Sequence, residues 1–312
     1  MNFLSSRAVF VPLWCWCCTA VLSFPLISRQ QAVSDVDVLQ FALTLEHLEN
    51  TFYKQALAQF SEVDFIAAGF DASFFVNLQF VAHDEEQHVV FLQQAISQAG
   101  ATPVAACQYT FPFTDVASFV GLATVLEGVG VSAYLGAASI ISSKEILNAA
   151  AAITVAEGLH QAVQRASILD VVSANIAGTP LSPNAVFTIA VDSRRFSSSS
   201  NCSFDISIRQ LRRDFSHQQQ QYFQHQPPST IFVTFISGLS VVSVPGEIVN
   251  GNSNGSAAAV AATIPAQAQG QTFALLTRTA VNGSALDDSA VIAGPAIMEV
   301  TPSPPTIDFG LL

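Results

Sequence analysis

The stretch HDEEQHVVFLQQA, residues 83–95, places acids and histidines at the head of an otherwise apolar run. In a helix, Glu85 and His88 are three residues apart and therefore share one face. The same spacing recurs in TVAEGLHQA, where Glu157 precedes His160 by three residues. One such pair is common on helices, so its meaning depends on the rest of the chain.

Two further glutamates lie within apolar runs, Glu46 in LTLEHLE and Glu127 in TVLEGVG. The chain thus carries a glutamate, a Glu-x-x-His pair, a second glutamate and a second pair, in that order, one on each of four successive predicted helices. This order is typical of a four-helix bundle with a carboxylate site for two metal ions. The predicted metal ligands are Glu46, Glu85, His88, Glu127, Glu157 and His160.

Apolar periodicity predicts four long helices between residues 35 and 173. The first helix is expected to begin at Ser34–Asp35 and to be followed by a loop at 61–71, and the second helix to end at Gly100. The third helix is expected to run from Thr114–Asp115 through Ile141. The fourth is expected to run from Ser142 or Ser143 through Ala174. The connection at 101–114 spans roughly 45 Å when extended. A helix of about 27 residues is roughly 40 Å long, so this connection can cross the bundle between helices 2 and 3.

Energetics favours metal ions over a purely structural role for these acids. A carboxylate buried without a partner costs several kcal/mol, and converging carboxylates also repel one another. The basic residues between 35 and 173 are Lys54, Lys144 and Arg165, which are too few to pair four interior acids. Oxygen ligands with one imidazole per ion suit iron or manganese better than zinc, so we predict two iron or manganese ions.

Other residues are predicted to lie next to these ligands. Tyr53 follows Glu46 by seven residues and Tyr134 follows Glu127 by seven, as in a duplicated helix pair. We expect both tyrosines and Glu49 to contact the ligands rather than the ions; the alternative is that the tyrosines are core aromatics.

The N-terminus and the composition restrict the cellular context. Residues 1–23 have one early positive charge and a short apolar stretch, which is typical of a secretory signal peptide; a membrane anchor is the alternative. Its removal leaves Cys107 and Cys202, which an exported protein could pair. Sequons that could be glycosylated begin at Asn201, Asn254 and Asn282. A net charge of −12 with 11% charged residues disfavours nucleic acid as a partner, and we expect no transmembrane span in the mature chain.

Beyond the predicted bundle at 35–190, the composition changes. Residues 191–229 are rich in Ser, Arg and Gln, and we interpret them as a disordered linker or as an unspliced intron carried into the protein sequence. Residues 230–312 contain short runs typical of β-strands, separated by Gly, Asn and Pro clusters.

The motifs LTLEHLENTFY, HDEEQHVVFL, LEGVGVSAYLGAA and AEGLHQAVQR, followed by GTPLSPNAVF and AGPAIMEV, resemble the ferritin-like superfamily. Within it, the chain is similar to secreted fungal stress-response and plant desiccation-related proteins. The resemblance covers residues 35–190 well and 230–301 loosely. It implies a mainly α fold: a ferritin-like four-helix bundle with a long crossover between helices 2 and 3, plus a small β-rich C-terminal appendage. By analogy with relatives, Glu85 or Glu127 would bridge the two ions.

The function implied by the resemblance is that of an exported or cell-surface di-metal carboxylate protein linked to stress or desiccation. If it is an enzyme, it is an oxidoreductase with ferroxidase or peroxide-handling activity, acting on oxygen or peroxide. Two alternatives stay open: a structural or cell-surface protein with no turnover, which could associate with the cell wall, and a manganese-catalase-like enzyme. The sequence does not predict the oligomeric state.

Overall fold

The computed structural model describes residues 33–191, 197–198, 231–249, 259–283 and 286–302. The described residues from Val33 onwards form one compact unit. The predicted signal peptide at 1–23 and most of the predicted linker at 191–229 lie outside the described residues, as do Cys202, Asn201 and Asn254.

The described residues form six α-helices. They are α1 Asp35–Gln59, α2 Glu62–Ala67, α3 Ala72–Gln98, α4 Val116–Ala137, α5 Lys144–Ser167 and α6 Pro183–Val191. The four long helices, α1, α3, α4 and α5, are the predicted ones, and the mainly α fold with a C-terminal β-region is confirmed. Two short helices were not predicted. The loop expected at 61–71 contains α2, because Ser61 and Asp64 form a capping box and Phe65 is buried.

Local side-chain contacts fix where the long helices begin. Ser34 and Asp115 accept hydrogen bonds from the backbone N–H groups of Asp37 and Ser118, and each forms a capping box. Ser143, one of the two candidate caps, accepts a hydrogen bond from the Ile146 backbone.

Two helices end earlier than the apolar pattern predicted. Helix α4 ends at Ala137 rather than Ile141, since the Asp35 carboxylate accepts hydrogen bonds from the backbone N–H groups of Ser142 and Ser143. Helix α5 ends at Ser167 rather than Ala174 because the chain turns at Leu169, whose φ is 60°.

The core contacts show how the four long helices run. Val38 near the start of α1 clusters with Ala137 at the end of α4 and Ala150 near the start of α5. Leu39 clusters with Ile96 near the end of α3. The starts of α1 and α5 therefore meet the ends of α3 and α4, so α3 and α4 are parallel. Residues 99–115 must run back along the length of the bundle, which is the long crossover.

The crossover is held by aromatic packing. Its strand β1, Tyr109–Thr110, pairs with β2, Ser197–Ser198. Phe111 and Phe113 then pack edge to face on Phe52 of α1, with ring centroids 5.1 and 5.5 Å apart. Phe119 of α4 lies 5.0 Å from Phe52 by the same measure. Aromatic burial thus closes the end of the bundle opposite to Val38.

The C-terminal region is an antiparallel sheet of five strands in the order β5-β4-β3-β6-β7. The strands are β3 Ile231–Ser237, β4 Ser240–Val249, β5 Ala259–Ala261, β6 Gly270–Thr277 and β7 Val291–Val300. The sheet packs directly on the bundle, because Phe273 and Leu275 share a core cluster with Phe41 of α1 and Val129 of α4.

Polar contacts also join the sheet to the bundle. Gln271 of β6 donates to the backbone carbonyl of Val125 at 3.2 Å and accepts from Gln161 at 2.8 Å. A Cβ at Gly128 would lie 2.1 Å from Gln271 Oε1, so a larger residue there would displace the Gln271 side chain from this contact. Arg165, 4% exposed, forms a two-pronged salt bridge with Glu299 at 2.9 and 2.8 Å.

Helix α4 is apolar enough and long enough to cross a membrane by length and composition, the one such helix in the described part of the chain. In this fold 67% of its most apolar window is buried. The burial arises because the other helices and the sheet cover it. Its composition is that of the central helix of a protein core.

Candidate metal centre

All six predicted metal ligands meet in the middle of the bundle. Glu46 lies on α1, Glu85 and His88 on α3, Glu127 on α4, and Glu157 and His160 on α5. The four glutamates are each 0% exposed, and His160 is 5% exposed. Each of the four long helices therefore places at least one carboxylate at the same level of the bundle.

The six side chains form two overlapping groups. The first consists of Glu46, Glu85, His88 and Glu157, and the second of Glu85, Glu127, Glu157 and His160. Within each group the candidate ligand atoms lie within 4.8 Å of one another. Glu85 and Glu157 belong to both groups, whereas Glu127 belongs to one. The two carboxylates placed to bridge are thus those of the two Glu-x-x-His pairs.

The histidines point one ring nitrogen each into the centre. His88 Nδ1 lies 3.2 Å from Glu46 Oε2, 3.4 Å from Glu85 Oε2 and 3.5 Å from Glu157 Oε1. His160 Nδ1 lies 2.8 Å from Glu85 Oε1 and 3.3 Å from Glu127 Oε2. Glu85 therefore turns one oxygen towards each histidine, as a bridging carboxylate would.

The two tyrosines hold the unshared glutamates in a reciprocal way. Tyr53 of α1 donates its hydroxyl hydrogen bond to Glu127 of α4, and Tyr134 of α4 donates to Glu46 of α1. Gln164 of α5 in turn donates to the Tyr53 hydroxyl. Each half of the duplicated helix pair thus orients the ligand of the other half.

Asp84 and Glu49 break this symmetry. His160 Nε2 lies 3.3 Å from Asp84 Oδ2, so an outer carboxylate fixes the orientation of that ring. The equivalent position in the second pair is Ala156, and no carboxylate of a described residue contacts the outer nitrogen of His88. Glu49, 3% exposed, is a fifth buried acid beside the four ligand carboxylates.

Gly130 provides the space for two of these acids. A Cβ at this position would lie 2.3 Å from Glu157 Oε2 and 3.0 Å from Glu49 Oε1. Real Cβ atoms essentially never approach another atom more closely than 3.0 Å. Any larger residue at position 130 would therefore force the Glu157 carboxylate to move.

Burial and the charges of neighbouring carboxylates raise the pKa values of the shared acids in the centre. Burial and the charge of Glu127 raise the pKa of Glu85 to about 7. Burial and the charge of Glu85 likewise raise the pKa of Glu157 well above its ordinary value. Burial lowers the pKa of His160, but the carboxylates of Glu127 and Glu85 outweigh it and raise that pKa to about 11.

Several polar atoms in the centre have no hydrogen-bond partner, although native proteins rarely bury such atoms. They are both oxygens of Glu85, both oxygens of Glu157, Oε2 of Glu127 and Nδ1 of His160. The 2.8 Å approach of His160 Nδ1 to Glu85 Oε1 does not satisfy hydrogen-bond geometry, although its length alone would suggest a bond. Lone pairs that converge on common points without donors are the arrangement expected of metal ligands, so the residues present fit two cations.

Other residues near the centre turn away from it. Lys54 pairs with Glu86 on the surface at 2.8 Å. Arg165 is buried against Glu299. His47 contacts the crossover through the Val104 carbonyl at 3.1 Å, and burial lowers its pKa.

Sequence reasoning left the position of Asp84 open and missed Gln164 and Gly130 as parts of the centre. Asp84 could have been found because it precedes Glu85, one helical step from a ligand. Gln164 follows His160 by four residues and so shares its face. Gly130 gave no local signal, because its role depends on a carboxylate from another helix.

Two predicted modification sites involve described residues. Cys107 is disulfide-bonded, and β2 brings Ser198 opposite Tyr109, two residues beyond Cys107. The pairing of Cys107 with Cys202 stays a prediction, since Cys202 lies outside the described residues. Asn282 is exposed, and its Oδ1 accepts a hydrogen bond from the Ser243 backbone.

Bundle proteins that hold metal ions through carboxylates place glutamates and histidines in this arrangement, which is therefore compatible with metal binding. Comparison with known proteins narrows this class. Residues 34–170 match the family model of the ferritin-like domain, and this part of the chain is a ferritin-like domain. The chain is also 28% identical to Protein rds1 of Schizosaccharomyces pombe over 134 residues, which are 43% of this chain and 32% of that protein. The match therefore spans about a third of the relative.

Proposed function

We propose that this protein binds two iron or manganese ions in its central carboxylate groups. One ion would be held by Glu46 and His88, and the other by Glu127 and His160. Glu85 and Glu157 would contribute to both groups. The observation that carries the proposal is the convergence of buried carboxylate oxygens without hydrogen-bond donors.

The charge of the centre supports metal ions over a metal-free structural site. No lysine or arginine among the described residues pairs with the four glutamates, because Lys54 and Arg165 are paired with Glu86 and Glu299. Two protonated histidines balance at most half of the four carboxylates. Two divalent cations would neutralise all four, and binding them would release the protons that the metal-free centre must hold.

The ligand set supports iron or manganese. Each ion would have one imidazole and several carboxylate oxygens, a donor set that suits these metals better than zinc. Iron or manganese bound by these residues would supply electron exchange with oxygen or peroxide. The residues of this chain orient the centre: Tyr53 and Tyr134 position the unshared glutamates, and Asp84 positions His160. We therefore propose an oxidoreductase that acts on oxygen or peroxide.

The proposed cellular role is that of an exported or cell-surface protein in the response to stress or desiccation. The signal-like N-terminus supports export, and so does the disulfide at Cys107, because disulfides persist in oxidising compartments. The stress and desiccation role rests on the sequence resemblance described above. Glycosylation at Asn282 is part of the same proposal.

The test is elemental analysis of the purified mature chain, with an absorption spectrum. We expect about two irons or manganeses per chain, lost in the variant Glu85→Ala/Glu157→Ala. Glu86→Ala is the matched control, since Glu86 is the next residue on α3 but is exposed and paired with Lys54. Protein that stays metal-free after incubation with ferrous or manganous ion, and is not stabilised by either, would refute the proposal in favour of a structural role.

Activity assays on the loaded protein separate the redox branches. Oxygen-dependent oxidation of added ferrous iron would indicate a ferroxidase. Rapid peroxide disproportionation by the manganese form would indicate a catalase-like enzyme. Loss of either activity in Glu85→Ala/Glu157→Ala, with retention in Glu86→Ala, is expected.

A further inference from the structure

One end of the bundle contains an apolar cavity of about 290 Å³. It lies where the starts of α1 and α5 meet the ends of α3 and α4. Its interior wall is formed by buried aliphatic side chains, among them Val38, Leu39, Leu92, Ala137, Ala150 and Ile153. Cavities with such walls are not filled by well-bound water, because water there would have no polar partners.

The lining of the cavity extends along the bundle axis for about two turns of helix. On α1 its lining runs from Val38 to Leu45, and on α5 from Glu145 to Ile153. At 1.5 Å per residue these segments cover about 10 to 12 Å. Small residues on the walls, Ala42, Ala137 and Ala150, keep this length open. An alkyl chain laid along the helices would contact this whole length of apolar wall.

The two ends of the cavity differ chemically. The rim includes the exposed side chains of Gln94, Gln98 and Glu145, which can hydrogen-bond a polar group. The Glu145 carboxylate disfavours an anion there. The inner wall includes Tyr134, whose hydroxyl donates to Glu46, so the cavity is one side chain away from a predicted metal ligand.

We propose that this cavity binds the unbranched alkyl chain of a neutral amphiphile, with its polar end at Gln94, Gln98 and Glu145. The apolar walls supply the affinity, the two turns of lining along each helix match a linear chain, and the carboxylate at the rim disfavours an anionic head group. This site is separate from the metal ligands, and its occupancy does not require a bound ion.

A chain-length series tests the proposal directly by calorimetry on the metal-free mature chain. We expect linear primary alcohols from hexan-1-ol to decan-1-ol to bind with an affinity that rises about four-fold for each added methylene. Decan-1-ol should bind more tightly than adamantan-1-ol, a compact alcohol with the same number of carbons. It should also bind more tightly than decanoate, the anionic counterpart.

In the variant Ala150→Phe, the phenyl ring would occupy the cavity. We expect its affinity for decan-1-ol to fall at least ten-fold. Ala151→Phe is its control, because Ala151 is the next residue of α5 but is exposed. Ala137→Leu fills the opposite wall and replaces Ala150→Phe if that variant unfolds. Metal content should stay at the wild-type level in Ala151→Phe.

Four results would overturn the proposal, the first three of which concern the ligand series and the variants. These three are the absence of a dependence on chain length, equal binding by wild type and both cavity-filling variants, and tighter binding of decanoate than of decan-1-ol. Binding only after residues upstream of Val33 are removed would also overturn it, because it would assign the cavity to the protein's own N-terminal segment. None of these measurements depends on metal, so failure here is distinguishable from failure of the proposed metal centre.

Discussion

Replacing Gly130 by alanine should remove metal binding while keeping the fold. The added Cβ would lie 2.3 Å from Glu157 Oε2 and 3.1 Å from Glu157 Cδ. Ordinary carbon–oxygen contacts begin near 3.3 Å, so the carboxylate must retreat by about 1 Å. Metal–ligand distances tolerate about 0.2 Å. Because Glu157 belongs to both groups, the added methyl group should weaken the binding of both ions.

The expected magnitudes follow from linkage. At a metal concentration 100 times the dissociation constant, binding at one site stabilises the wild-type fold by about 2.7 kcal/mol. This increment should disappear in Gly130→Ala. Without metal, the variant should stay within about 1 kcal/mol of wild type, because alanine favours the helix by up to about 1 kcal/mol over glycine and so offsets the displaced carboxylate.

The assay is urea unfolding with and without manganous ion, together with elemental analysis. Gly121→Ala and Gly158→Ala are the controls: one lies on the same helix and the other next to Glu157, and an added Cβ meets nothing within 4 Å at either position. Both should keep their metal. A Gly130→Ala protein with the full metal content and the full metal-dependent stabilisation would refute the assignment of Glu157 as a shared ligand.

Three further predictions concern the same centre. As the pH rises from about 4.5 to 7, the metal-free protein should lose up to about 3 kcal/mol of its free energy of unfolding. The pKa of Glu85 is raised to about 7, so in this window the folded state holds a proton that the unfolded state has released. Urea unfolding in chelator checks this, and stability that rises across the window would contradict it. Tyr134→Phe should weaken metal binding 10- to 100-fold by calorimetry, since Glu46 loses its donor; unchanged affinity would argue that the hydroxyl does not orient the ligand. Asp84→Asn should weaken one of two stepwise binding events more than the other, and an equal effect on both would count against a specific contact with His160.

The bundle and its six central side chains could be predicted from sequence because their signals are local. Apolar periodicity marks each long helix, and a Glu-x-x-His pair shares one face whatever surrounds it. Helix α2 was missed because a six-residue helix is too short to show periodicity. The end of α5 was missed because Leu169 turns the chain in a conformation that its sequence does not signal.

The packing of the sheet could not be predicted for a different reason. Its strands were recognisable from their β-rich runs, but nothing in them indicates which helix they cover. The contact depends on Gly128 of α4, which leaves room for Gln271, and on Arg165 of α5, which pairs with Glu299. Each of these contacts joins residues more than 100 positions apart, so neither can be recognised until the fold is known. The region predicted as an appendage is for that reason part of the same compact unit.

The duplication that makes the centre symmetric also shows where the symmetry is broken. Glu46 and Glu127 are 81 residues apart, and the same interval relates Glu49 to Gly130. An acid in one half therefore faces a glycine in the other, and the glycine leaves the space into which that acid fits. Two acids at these positions would compete for one volume and repel each other, so the exchange of one for glycine is what allows a fifth carboxylate in the core.

A second break falls at the histidines. Glu85 and Glu157 are 72 residues apart, and this interval relates Asp84 to Ala156. The imidazole of His160 is thus held by an outer carboxylate, whereas that of His88 is not. A histidine held in this way is a more basic and better oriented ligand. The two proposed metal positions are therefore inequivalent, and the position at His160 should fill first when metal is limiting.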